Sequence, residues 1–178
     1  MKFIHVKRLI RCNTINIKLN DATKFEYFGL SPFEIEVIYN TLSKFSAVDE
    51  KILVEESKYV TLLRIEFPVP YDDKFFRLFG FDNWQKFKAL FNEMKRRRGR
   101  KGLKIILSFS GISADINSRI VFLLTNDIGP QFEYATEKIE HMTDSIHIQV
   151  KNLETSRQFT TYTFDAVAMK WVISGKVQ

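Results

Sequence analysis

Apolar and polar residues alternate along residues 3–10. Phe3, His5, Lys7 and Leu9 fall on one side of an extended chain, and Ile4, Val6, Arg8 and Ile10 on the other. A second alternation follows at Ile15, Ile17 and Leu19, and the Cys12-Asn13-Thr14 link predicts a hairpin. The period then changes. Ser31-Pro32-Phe33-Glu34 offers a serine cap, a proline for the first turn and a glutamate placed to close a capping box. Ile35, Ile38, Leu42 and Phe45 recur at helical spacing, which predicts an amphipathic helix over 32–46. Asp49 to Lys58 is charged and reads as a loop or linker.

Period two returns over 59–67, with Tyr59, Thr61, Leu63, Ile65 and Phe67 on one face, until Pro68 and Pro70 end the strand. Asp72-Asp73 opens a short helical turn that Gly80 breaks, and Asp82 is placed to cap a longer helix over 83–98. Trp84, Phe87, Leu90, Phe91 and Met94 make its apolar stripe, and Gly99 is a natural stop. Two strands follow, 103–110 and 119–125, the second apolar on both faces as a central strand is, with residues 111–118 as their loop. A helix over 131–143, a strand over 146–150 and one or two strands within 158–173 complete the expectation. The fold class is therefore α+β, an antiparallel sheet with three to four packed helices forming a cleft. The chain reads as a single domain, with 59–150 as its binding core and 1–48 as a hairpin-plus-helix extension.

The charge distribution changes this picture. The chain of 178 residues has a formal net charge of +6, but residues 74–104 hold 11 Lys/Arg against Asp82 and Glu93. That stretch alone is +9 and the remainder is −3, so a mildly acidic protein carries one intensely basic segment. Seven of the ten residues from Lys95 to Lys104 are cationic, and one or two would suffice to balance the dipole of a helix C-terminus. Such a run neutralises phosphates and releases their counterions. Just before it, residues 71–91 hold eight of the 25 aromatics. Rings beside a cationic track are what single-strand binding requires, because bases stack on rings while Lys and Arg follow the backbone. The expected nucleic-acid contacts are Lys88, Lys95, Arg96, Arg97, Arg98, Arg100, Lys101 and Lys104, with Trp84, Phe87 and Tyr71 as ring contacts. Against this stands the ordinary fate of a phenylalanine, which is to be core.

The succession of strand, Pro-rich turn, FFRLFGFDNW, amphipathic helix, KRRRGRKG, two strands and the helix EYATEKIEHMTDSI resembles the archaeal ThermoDBP-related single-stranded-DNA-binding proteins over roughly residues 59–150. The resemblance implies a sheet with packed helices forming a cleft, where aromatic residues take bases and flanking cations take phosphates. Here it points to Trp84, Phe87 and the cations from Arg96 to Lys101. Some members of that family carry a C-terminal leucine zipper, and residues 151–178 have no heptad pattern, so the resemblance leaves a homodimer open.

Two other readings compete. The order of elements also fits a winged helix reading duplex DNA, but the cations stand at the wrong end of helix 83–98 and its surface is aromatic. A protein-interaction module docking an acidic partner is the other. Catalysis has no support: Glu137, Glu140, His141, Asp144 and His147 read as a solvated helix face, His5 lacks a nearby carboxylate, and no metal-binding or phosphate-loop motif occurs. No cofactor or metal is expected. One cysteine, Cys12, allows no internal disulfide, and no run is long enough to span a membrane, which together point to the cytoplasm.

Overall fold

The computed structural model describes residues 21–54, 58–99, 102–111, 119–151 and 159–174. The expected hairpin of residues 3–19, Cys12, most of the 111–118 loop, Arg100 and Lys101 lie outside these residues. The chain is α+β, with one seven-stranded sheet and five α-helices among the described residues. No helix among them is long and apolar enough to cross a membrane.

The strands are β1 (Thr23–Phe28), β2 (Val48–Ile52), β3 (Thr61–Phe67), β4 (Leu103–Phe109), β5 (Arg119–Thr125), β6 (Phe159–Asp165) and β7 (Lys170–Ile173). Their order across the sheet is β2-β1-β3-β4-β5-β6-β7. The sheet is mixed and not antiparallel, which corrects the sequence expectation. β1 with β2, β3 with β4 and β5 with β6 run parallel, and the three remaining pairs are antiparallel. Parallel neighbours cannot be joined by a tight turn. Each parallel pair is accordingly separated in the chain by helices: α1 (Pro32–Ser43), then α2 (Asp73–Phe79) with α3 (Phe81–Arg98), then α4 (Phe132–Lys138) with α5 (Thr143–Lys151). α2 and α3 thus lie together inside the crossover from β3 to β4. β1 and α1 belong to the same sheet and core as the rest.

Local chemistry explains most boundaries. Ser31 and Glu34 form the capping box: the Ser31 hydroxyl accepts from Glu34 N at 3.3 Å, and the Glu34 carboxylate accepts from Ser31 N at 2.8 Å. α1 stops at Ser43, yet Phe45 still reaches the core, edge-on to Phe67 and Phe79. The Asp72 carboxylate caps α2. Gly80, at φ 88°, ends α2 and starts α3 in one residue, so α3 begins at Phe81 and Asp82 does not cap it.

Two stretches depart from the sequence pattern. Residues 48–52 form edge strand β2 within a stretch expected as loop; exposed over most of its length, it needs no apolar face. Residues 146–150, expected as a strand, lie in α5. Their alternation is incidental, since Ile146 is fully buried while Ile148 is 63% exposed.

One face of the sheet carries the helices and the core. Phe25, Ile65, Leu107 and Phe122 point into it, and α3 rests on it through Trp84, Phe87, Phe91 and Met94, all fully buried. The rings pack mostly edge-to-face: Phe67 lies 4.8 Å from Phe75, Phe79 5.2 Å from Phe87, and Phe76 5.3 Å from Trp84. Such pairs add about 0.5–1.5 kcal/mol to simple burial. The Trp84 indole N–H has no hydrogen-bond partner among the described residues, so apolar contact outweighs its desolvation. Replacing Trp84 with alanine is therefore expected to cost about 3–5 kcal/mol, read as a lowered urea midpoint. An unchanged midpoint would show that the ring is not structural.

Candidate nucleic-acid interface

Strand direction brings the basic residues to one end of the sheet. There β3, β4 and β7 begin, and β1, β2, β5 and β6 finish. α3 delivers its last turn, Lys95–Arg98, to the same end, and its chain re-enters the sheet at Leu103. The re-entry is tight. Val60 N and Thr61 N donate to Gly102 O at 3.0 and 3.2 Å, and a Cβ on Gly102 would stand 3.0 Å from Lys58 O. Gly29 is closer still: with φ at 67°, any Cβ there would collide with the Val60 carbonyl oxygen.

The four consecutive cations have different jobs. Arg98 turns inward, 12% exposed, and its Nη1 and Nη2 donate to the Glu34 carboxylate at 2.7 and 2.6 Å. Its remaining contacts are Thr61 Oγ1 and Gly29 O. Arg98 is thus a structural clamp joining α1, α3, β1 and β3. Burial pushes the Glu34 carboxyl up, but hydrogen bonds from Arg98 and Ser31 outweigh it and leave the group below its ordinary range. Arg96 and Arg97 point to water and share one carboxylate, Glu93, at 2.6–2.7 Å. Those two guanidinium groups draw Glu93 down to about 2. Arg96 spends two of its five N–H donors on this pair and Arg97 one, so most of their donors face solvent.

At the same end are Lys58 and Lys104, whose ammonium groups lie 5.5 and 5.0 Å from the centroid of the partly buried Tyr59 ring. Lys95 lies at the rim of an open depression of about 500 Å³ lined also by Gly99, Asn126, Asp127, Gly129 and Pro130. The Asn126 amide holds the depression's floor: it donates to Gly99 O and accepts from Leu103 N at 2.9 Å.

The remaining expected contacts are elsewhere. Trp84, Phe87 and Tyr71 are fully buried and present no ring face to a base. Tyr71 donates its hydroxyl to Ile139 O. Lys88 is 2% exposed and donates to Glu137 at 2.6 Å and Glu140 at 3.1 Å, tying α3 to α4 and to the turn that follows it. It is a structural cation and not a surface one, and it accounts for two of the acids that had read as a solvated face. Among the described residues no group of three or more His, Cys, Asp or Glu could hold a metal ion. Sequence reasoning missed Tyr59 as part of this end. Its signal was the Lys58-Tyr59 pair ahead of a strand, which becomes meaningful only once β3 and β4 are known to start together.

No family model, no curated protein and no solved structure matches this chain.

The division among the cations predicts unequal effects on stability. Arg98→Ala strands the buried Glu34 carboxylate and is expected to cost about 3 kcal/mol or more in urea unfolding. Arg96→Ala and Arg97→Ala should each change stability by less than about 0.5–1 kcal/mol. Equal losses at all three would contradict the assignment. Acid should tell the same story. Glu34 and Glu93 bind protons less readily folded than unfolded, so the stability they contribute is present at neutral pH and is lost as pH falls from about 5 towards 2. Urea midpoints of Glu34→Gln should therefore fall less steeply over that range than those of the wild type.

Proposed function

We propose that the protein binds single-stranded nucleic acid across this end of the sheet, through its phosphates. The observation that carries the reading is the pair Arg96 and Arg97. They share one surface carboxylate and keep most of their donors open to water, and Lys95, Lys58 and Lys104 belong to the same end of the sheet. Arg100 and Lys101 belong to the same run in sequence. Evenly spread cations would serve solubility; gathered on one rigid end, they match a charged backbone. The aromatic role passes from the fully buried rings to Tyr59, whose partly exposed ring beside two lysines is of the kind that accepts a base. DNA stands ahead of RNA in this reading only through the family resemblance.

A second reading rests on a separate observation. Phe33, Ile52, Val54, Val60 and Val167 are each more than half exposed, and all belong to this same end by strand direction. Cations bordered by bare aliphatic side chains also suit an acidic protein partner with apolar residues of its own.

Fluorescence anisotropy with matched single- and double-stranded DNA and single-stranded RNA across a salt series separates the two. Tight single-strand binding that weakens steeply with salt is expected. In Arg96→Ala/Arg97→Ala the slope of log affinity against log salt should flatten by about one to two. Val54→Ser, which adds no charge, should leave oligonucleotide binding nearly unchanged. No binding at about 50 mM salt would remove the nucleic-acid reading and leave the protein partner, and a preference for duplex would remove its single-strand form.

A further inference from the structure

The depression beside Lys95 has chemistry that a phosphate does not explain. Asp127 lines it, and the carboxylate makes only one contact among the described residues, with the Thr125 hydroxyl at 3.5 Å. A carboxylate opposes a phosphate, so it weakens the very interaction its neighbours favour. The Asn126 amide is spent on Gly99 and Leu103, which makes it wall and leaves Lys95 and Asp127 as the polar groups facing the space. The other walls are Gly99, Gly129 and Pro130, two bare peptide surfaces and a saturated ring. A Cβ on Gly99 would meet nothing within 4 Å, so this glycine borders open space. The depression, about 500 Å³, is open, and Gly99, Asp127 and Pro130 at its edge are exposed.

We propose that this depression takes one unstacked nucleobase of the bound strand, with guanine preferred, and that Asp127 reads it. The proposal rests on the single-strand reading above. Bare peptide surfaces suit a planar ring. Guanine presents N1–H and N2–H side by side, which match the two oxygens of a carboxylate, while its O6 and N7 are acceptors suited to an ammonium such as Lys95. Adenine, cytosine and thymine each present a single donor group on that edge. The edge is free only when the base is unpaired, so the pocket itself selects single strands over duplex. The cations of 95–104 then supply affinity, and Asp127 supplies choice.

The test compares oligo-dT with the same oligomer carrying one central dG, dA or dC, by anisotropy at fixed salt. For the wild-type protein the dG oligomer should bind about tenfold tighter than the other three. In Asp127→Asn that preference should vanish, while plain oligo-dT binds as well as before or better, since a negative charge has left a site for polyanions. Asp127→Ala should behave alike, and a urea midpoint matching the wild type establishes that either variant is folded. Equal affinities for all four oligomers in the wild type would overturn base reading and leave phosphate binding standing. So would a dG preference that survives in both variants. If no oligomer binds at low salt, the single-strand reading fails and takes the pocket assignment with it.

Discussion

The fold at its basic end depends on one buried ion pair. Glu34 completes the capping box that starts α1, and the same carboxylate receives both terminal nitrogens of Arg98 at the close of α3. Arg98 also reaches Thr61 at the start of β3 and the Gly29 carbonyl after β1. Four elements are thereby fixed against one another at a single point. A charge pair removed from water is costly unless its geometry is good and its other donors are satisfied, and here they are. Since Arg96 and Arg97 share the last turn of α3 with Arg98, holding Arg98 also holds them in their outward position. The surface is aimed from beneath.

Much of the scaffold was legible in the sequence. Local signals did best: the serine cap at 31, the break at Gly80, the stop at Gly99, strands β3 and β4 with faces read from their alternation, and β5 read from its apolar run. Failures came where neighbours far along the chain decide. β2 has no period because it is an exposed edge, and its backbone pairing with β1 does not depend on an apolar face. Ile146–Val150 fits a strand or a helix by pattern, and packing chose the helix. The parallel pairing of β3 with β4 cannot be seen in either strand alone.

The candidate site divided along the same line. That a dense cationic run ended a helix was plain, but which of its members were available was not. Arg98 meets Glu34, 64 positions away, and Lys88 meets Glu137, 49 positions away. Both looked like surface charges until those partners arrived. The rings had the opposite problem. Trp84, Phe87 and Tyr71 were numerous enough to suggest a platform, yet one face of a seven-stranded sheet needs a large apolar cover, and short helices provide it with bulky rings. What remained for a ligand was a tyrosine at a strand entrance that its own sequence context barely marked.

Glu93 gives this surface a further property. Tethered on the same helix as Arg96 and Arg97, it acts as a resident competitor whose effective concentration far exceeds that of any dilute free anion. Chloride, or an isolated phosphate, meets arginines whose charge Glu93 already offsets in part. On the single-strand reading proposed above, a strand carrying several phosphates would engage the neighbouring lysines as well and displace the carboxylate by the combined attraction. An acid placed among the cations would then set a threshold that favours a chain of charges over single ones.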